Sequence, residues 1–294
     1  MKNFFSTSLF LLLSLGAGAA KPLNFVLILV DDLGWMDLAC QGSKYYETPN
    51  LDRLASEGMR FTDAYAAASI CTPTRASIMT GIYPAKLNMT IWHEAAHRAP
   101  PTNRALIPPP VDANLAHHHM TLAESFQQAG YRTAHLGKWH LGTAGFYPEL
   151  HGFDVNIGGT FWGCPATFFY PYRGLFGSRQ ELRYVPQLDG GQPGEYLTDR
   201  LTDEAIQIIR TSTDKPFFLN MCYYTVHTPI EGKPELTKKY TSLLKDGQRH
   251  SNAHYAAMVQ SLDENVGRLL NELKQQNILD QTVIILTSDN GGFI

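Results

Sequence analysis

Two pairs of oxygen-bearing side chains in this sequence each follow directly on an apolar run. Asp31-Asp32 closes "NFVLILV" (residues 24–30), and Asp289-Asn290 closes "TVIILTS" (residues 282–288). Adjacent carboxylates repel one another and lose hydration on burial, so a site that gathers them calls for a cation. Three carboxylates and one amide offer oxygen-only ligands, which suits Ca2+ or Mg2+ rather than zinc. Taken singly, each pair reads as an ordinary turn or cap after its strand; their occurrence together favours a metal. The third candidate is Cys71, in "SICTPTRASIMTGIYP" (69–84). Pro73, Ile78 and Met79 mark a helix start here, which puts Cys71 among free backbone N–H groups that favour an anion. Arg75, one turn on, adds a planar guanidinium suited to a tetrahedral oxyanion. On these residues alone Cys71 is open to four readings: half of a disulfide, a metal ligand, a thiol nucleophile, or the precursor of something else.

The elements that must position these groups alternate between strand and helix patterns. The run 24–30 is continuously apolar, as in a strand buried on both faces. Residues 48–58 read as a short helix, and 60–68 as a further apolar stretch. Thr121 with Glu124 forms a capping box for a helix that Gly130 stops, and strand 131–137 follows. Helix 198–209, strand 216–224, helix 253–276 and strand 282–288 complete the series. On the long helix, Met258, Leu262, Val266, Leu269 and Leu273 share one face. The alternation predicts an α/β fold: a largely parallel central sheet sandwiched by helices. Residues 98–119, ending in His117-His118-His119, and residues 142–195, rich in glycine, proline and aromatics, break the rhythm. They read as excursions from the strand ends, where α/β proteins keep their binding loops.

Composition narrows the function classes. At 294 residues and 44% hydrophobic the chain can bury a large core, and a net charge of -3 leaves no electrostatic footprint for nucleic acid. Four cysteines (Cys40, Cys71, Cys164, Cys222) are too few for a disulfide scaffold, and at most one bridge can form without Cys71. Residues 1–20 have the basic start, short apolar run and small-residue exit of a signal peptide. No later segment is long and apolar enough to span a membrane. These features predict a mature chain from residue 21, soluble, and secreted or periplasmic (by a lysosomal-type route in a eukaryote). The sequence stops as a loop begins after strand 282–288, so 21–294 is expected to be one catalytic α/β domain cut short at its C-terminal end.

Cys71-Thr72-Pro73-Thr74-Arg75 matches the Cys-x-Pro-x-Arg core of the sulfatase family, within the alkaline phosphatase superfamily. The resemblance continues through Asp31-Asp32-Leu33-Gly34-Trp35, Thr48-Pro49-Asn50-Leu51-Asp52-Arg53-Leu54-Ala55 and Thr80-Gly81. Further on come Gly137-Lys138-Trp139-His140-Leu141-Gly142, His151-Gly152-Phe153-Asp154, Val226-His227-Thr228-Pro229 and Ser288-Asp289-Asn290-Gly291, all in family order. The resemblance implies an alkaline phosphatase-like fold and sulfuric ester hydrolysis. It implies that a maturase, a formylglycine-generating enzyme or its equivalent, oxidises Cys71 to Cα-formylglycine, whose hydrate is the nucleophile. Asp31, Asp32, Asp289, Asn290 and an oxygen of residue 71 would then hold Ca2+, with Mg2+ as the substitute. Arg75 would hold residue 71, Lys138 and His227 would bind sulfate, and His140 would assist deprotonation of the second hydroxyl of residue 71.

The family carries a further lysine and a smaller C-terminal subdomain beyond the point where this sequence stops. The expected substrate is a sulfated carbohydrate or an aryl sulfate. Two alternatives stand beside it: a phosphomonoester or phosphonate monoester hydrolase of the same superfamily, and an inactive fragment that binds an anion or a sulfated glycan. The Gly-Lys-Trp-His and Val-His-Thr-Pro blocks favour the sulfatase side.

Overall fold

The computed structural model describes residues 21–99, 103, 105–212 and 214–292. The expected signal peptide, residues 1–20, lies outside the described residues. The strands are β1 (Asn24–Val30), β2 (Arg132–Gly137), β3 (Val155–Ile157), β4 (Arg173–Phe176), β5 (Glu181–Tyr184), β6 (Phe217–Cys222) and β7 (Thr282–Ser288). Five of them form one sheet in the order β3-β2-β6-β1-β7, every pairing parallel. Phe25 lies opposite Phe218 on one side and Val283 on the other, so β1 is an interior strand, and its apolar residues are buried on both faces.

Parallel neighbours need crossover connections, and helices supply them. They are α1 (Pro49–Glu57), α2 (Cys71–Thr80), α3 (Pro84–Leu87), α4 (His93–Ala96), α5 (Leu122–Gln128), α6 (Leu197–Thr211), α7 (Pro234–Ser242) and α8 (Ala253–Gln275). On one face of the sheet, Val26, Ile28, Leu219 and Met221 pack with Leu201 and Ile208 of α6 and with Met258, Leu262, Val266, Leu269 and Leu273 of α8. On the other face Leu27 and Phe218 pack with Ala76 and Met79 of α2 and Ala123 of α5. The expected sandwich is therefore the observed one. The capping box of Thr121 and Glu124 is also present, with the Glu124 N–H donating to Thr121 Oγ1 at 3.1 Å.

Two features differ from the sequence reading. The stretch 142–195 contains β3 and an antiparallel hairpin, β4 with β5, although it shows no periodicity. These strands have three or four residues each, too few for a period to register. The apolar stretch 60–68 forms no helix or strand, and Phe61 and Tyr65 are exposed. All four cysteines are free thiols, within the expected limit of at most one bridge.

Gly137 ends β2 with φ +90°, and a Cβ there would lie 1.9 Å from the Cys222 carbonyl oxygen. That carbonyl accepts the Lys138 N–H at 2.8 Å, so the close approach of β2 to β6 sets where Lys138 begins. Gly137→Ala is expected to lower stability by more than about 2 kcal/mol in urea unfolding, through steric displacement and a disfavoured φ.

Candidate active site

Because all five strands of the sheet run the same way, their C-terminal ends share one edge, the place where open α/β sheets collect ligands. Asp31 and Asp32 leave β1 there, Lys138 leaves β2, and Asp289 and Asn290 leave β7. The turn after β6 brings His227, and the N-terminus of α2 brings Cys71 and Arg75. Asp31, Lys138 and Asp289 are wholly buried and Arg75 is 2% exposed. His227, at 21% side-chain exposure, is the most open of the group.

The charges interlock. Lys138 Nζ donates to both Asp31 oxygens, at 2.7 and 2.8 Å. Arg75 Nε donates to Asp289 Oδ2 at 2.9 Å, its NH1 to the Lys138 carbonyl at 2.9 Å and its NH2 to Asp31 Oδ1 at 3.3 Å. Burial works against the charge on Lys138, but the Asp31 carboxylate outweighs it and raises the ammonium's pKa. Burial also pushes Asp31 upward, with Asp289 and Asp32 adding. The two shifts compete for one proton, and the two short contacts to an ammonium assign it to Lys138, leaving Asp31 ionised. For Asp289, burial pushes up but Arg75 and Lys138 prevail, bringing the carboxyl to about 2.

Cys71 faces this cluster. Its Sγ lies 3.7 Å from Asp31 Oδ1 and 3.9 Å from Asp32 Oδ1. Burial raises the thiol's pKa far above its ordinary value, and the two cations fail to offset that. A thiolate is therefore disfavoured here at neutral pH, unlike in thiol enzymes, where the cysteine pKa is depressed. Asp32 turns back into the site with φ 55°, its N–H donating to Asp289 Oδ1 at 3.2 Å. A left-handed non-glycine backbone costs roughly 1–2 kcal/mol, which that bond helps to offset.

The two histidines stand differently from one another. His227 Nε2 is 3.6 Å from Asp32 Oδ2, while Nδ1 contacts the Thr228 carbonyl at 2.9 Å and hydroxyl at 3.0 Å. Burial, with Lys138 nearby, lowers its pKa to about 4. His140 reaches the cluster through its backbone: its carbonyl accepts the Thr72 hydroxyl at 2.9 Å. Its ring makes no hydrogen bond to Cys71; Nε2 meets Glu94 Oε2 at 2.6 Å.

A family model described as Sulfatase matches residues 23–294. The chain belongs to the sulfatase family. N-acetylgalactosamine-6-sulfatase of Mus musculus is 33% identical over 290 residues, covering 94% of this chain and 52% of its own length. A protein named Sulfatase from Formosa agariphila is 31% identical, covering 93% and 58%. Among solved structures, Ps i-CgsB in complex with k-i-k-neocarrahexaose superposes with a TM-score of 0.73 at 30% identity, over 92% of this chain and 59% of that one. The chain thus spans between about half and three-fifths of the length of these sulfatases.

A divalent cation fits the sulfatase site by charge and by ligand supply. Three carboxylates face two buried cations, leaving one negative charge with no partner (Asp31, Asp32 and Asp289 against Lys138 and Arg75). Asn290 donates through Nδ2 to Asp32 Oδ1 at 2.5 Å, and its Oδ1 is buried without a partner among the described residues. A bare buried carbonyl beside crowded carboxylates is an oxygen ligand in want of a cation. The ligand atoms of Asp31, Cys71 and Asp289 lie within 4.8 Å of one another, as do those of Asp32, Cys71 and His227.

Glu94 was not legible as a site residue. Its sequence signal, His93-Glu94-Ala95-Ala96-His97, points on its face to a helical zinc motif. The structure does otherwise: α4 has four residues, His97 Nε2 meets His93 Nε2 at 3.2 Å, and Glu94 turns to His140. The triple His117-His118-His119 stays outside the cluster, with His117 stacked on Phe146 and His151. The aromatic stretch 161–172 packs inward at Phe168 and Tyr172, both wholly buried.

Proposed function

We propose that this protein hydrolyses sulfate monoesters on carbohydrates, with residue 71 acting as Cα-formylglycine rather than as cysteine. The observation that carries the reading is the setting of Cys71: a helix N-terminus aimed at two aspartates, where burial disfavours the thiolate. A thiol so placed is a poor nucleophile, whereas a hydrated aldehyde at the same position presents oxygens to the same groups. The relatives named for N-acetylgalactosamine 6-sulfate and the neighbour bound to a neocarrahexaose support a sugar substrate. Aryl sulfates would be cleaved by the same chemistry.

Bound Ca2+, held by Asp31, Asp32, Asp289, Asn290 and residue 71, would supply Lewis acidity toward the sulfate oxygens. The chain's own groups do the rest. Arg75 fixes Asp289 and Asp31 and keeps positive charge beneath residue 71. Lys138 spends two contacts on Asp31, and its third N–H is left for a sulfate oxygen. His227, the most open member, meets the ester from the solvent side. His140 accepts a proton from the second hydroxyl of residue 71 as sulfate departs.

Cys71 is nearly buried in the folded chain, so the maturase must act before the site closes. Among the described residues no helix is long and apolar enough to cross a membrane, and the leader-like start supports export to the periplasm or outside the cell. Mass spectrometry of the peptide containing residue 71 tests the reading, alongside assay of the protein on sulfated sugars, aryl sulfates and phosphate esters. An aldehyde at 71 and release of sulfate are expected. An intact thiol in active protein would refute the nucleophile, and a preference for phosphate esters would refute the reaction class.

A further inference from the structure

His140, whose carbonyl accepts the hydroxyl of Thr72 beside residue 71, is half of an acid–base pair whose other member, Glu94, the reaction scheme above leaves unused. Glu94 Oε2 meets His140 Nε2 at 2.6 Å, and His140 Nδ1 is buried with no partner among the described residues. We propose that Glu94 is the positioning residue for His140: it accepts the Nε2 proton, fixes the Nε2–H tautomer and leaves Nδ1 as the proton acceptor. The role of that acceptor rests on the sulfatase reading; the tautomer itself does not.

The carboxylate is held from several sides. Its other oxygen accepts the Gly163 N–H at 3.0 Å and lies 3.7 Å from Arg183 NH2. Arg183 is in turn clamped between the Trp162 and Phe176 rings, at 4.8 and 4.2 Å from their centroids. It also donates to Cys164 Sγ at 2.7 Å and to Glu181 at 3.0 Å. The β4–β5 hairpin, which carries Phe176, Glu181 and Arg183, thereby braces Glu94 from behind. An ionised carboxylate with such donors is a pure acceptor, so the nitrogen facing it must carry hydrogen.

The imidazole is held as firmly as its partner. His140 has φ 62°, its N–H bonds the Thr160 carbonyl at 3.0 Å and its carbonyl accepts the Thr72 hydroxyl. A Cβ at position 163 would come within 2.6 Å of the ring's Cε1, so Gly163 lets the loop close against the imidazole. The charged and titratable groups around the ring are Glu94 and His93 from α4, Arg75 from α2, Arg183 from β5, and Lys138 of its own segment. Burial opposes a second proton most strongly, the cations Lys138 and Arg75 add to that, and only Glu94 favours it, for a balance near 4. The ring is thus neutral at working pH, with a single basic nitrogen.

Nitrogen-15 NMR of the histidine rings in the unsubstituted protein tests the tautomer directly. The expected His140 spectrum has a protonated Nε2 and a bare Nδ1 from pH 6 to 8, a window of about two units around neutrality. A protonated Nδ1 would overturn the proposal. Glu94→Gln tests the consequence: kcat on a sulfated sugar should fall about 10–100-fold with KM within about twofold. Its acid limb should move to lower pH, because removing the carboxylate makes the ring harder to protonate. Glu94→Asp should restore part of kcat. Unchanged kcat and pH profile in Glu94→Gln would sink the positioning role. If the unsubstituted protein released no sulfate from any ester, the function reading would fall while the NMR result still decided the tautomer.

Discussion

Cys71→Ala in the complete protein is expected to abolish sulfate release, with a loss on the order of 10^5–10^6-fold in kcat, the scale for deleting a covalent nucleophile. The same variant should keep calcium binding, because Asp31, Asp32, Asp289 and Asn290 Oδ1 remain in place and only one candidate ligand is removed. Fold stability should change little, since the lost thiol contacts its carboxylates at 3.7 and 3.9 Å, at the weak limit for sulfur. Asp32→Ala separates the two roles. It removes a ligand and leaves the Asn290 amide without its 2.5 Å partner, so calorimetry should show weakened calcium binding together with lost turnover. Retained turnover in Cys71→Ala would rule out residue 71 as nucleophile, whereas full activity of the parent in excess chelator would rule out the metal.

The parts of the fold that were readable in sequence are those with long, regular apolar patterns. β1, β6 and the face of α8 are buried as their patterns require, whereas β7, at the end of the strand order, is half-buried and exposes Ile285. Asp31, Asp32, Lys138 and Asp289 were readable because they come straight after strands, and a parallel sheet brings all of those ends to one edge; Arg75 was readable from the start of α2. What could not be read was where a side chain turns after leaving its element. Lys138 closes on Asp31 and not on open space, since only the folded sheet sets the ends of β2 and β1 on either side of β6, within reach of one another. Glu94 lies in a four-residue helix with no pattern of its own, and its partner comes from beyond β2. Arg183 sits on a hairpin strand of four residues whose role is visible only through the Trp162 and Phe176 rings on either side. Periodicity reports which face of an element is buried; it carries no information about pairing between loops.

Asp289→Asn is expected to destabilise the fold by about 3–5 kcal/mol at pH 7, as for other broken buried ion pairs. Arg75 is 2% exposed, and removing the carboxylate's charge would leave its buried Nε facing a neutral group. The pH dependence gives the stricter check. The folded Asp289 carboxyl lies at about 2, below its ordinary 3.8, so it contributes stability that is complete above the ordinary value. That contribution, about 2 kcal/mol, is lost as pH falls from near 4 toward 2. Asp31 works in the opposite sense, because burial raises its carboxyl, so neither curve alone isolates Asp289. The difference between them does: urea unfolding of wild type and variant, both in chelator so that no cation adds to the balance, should show a gap that narrows between pH 4 and pH 2. A gap absent at pH 7 would remove the Arg75–Asp289 pair from the forces holding the site. A gap that stayed constant down to pH 2 would instead mean that the loss comes from packing, and that the charge on Asp289 matters to the ligand and not to the fold.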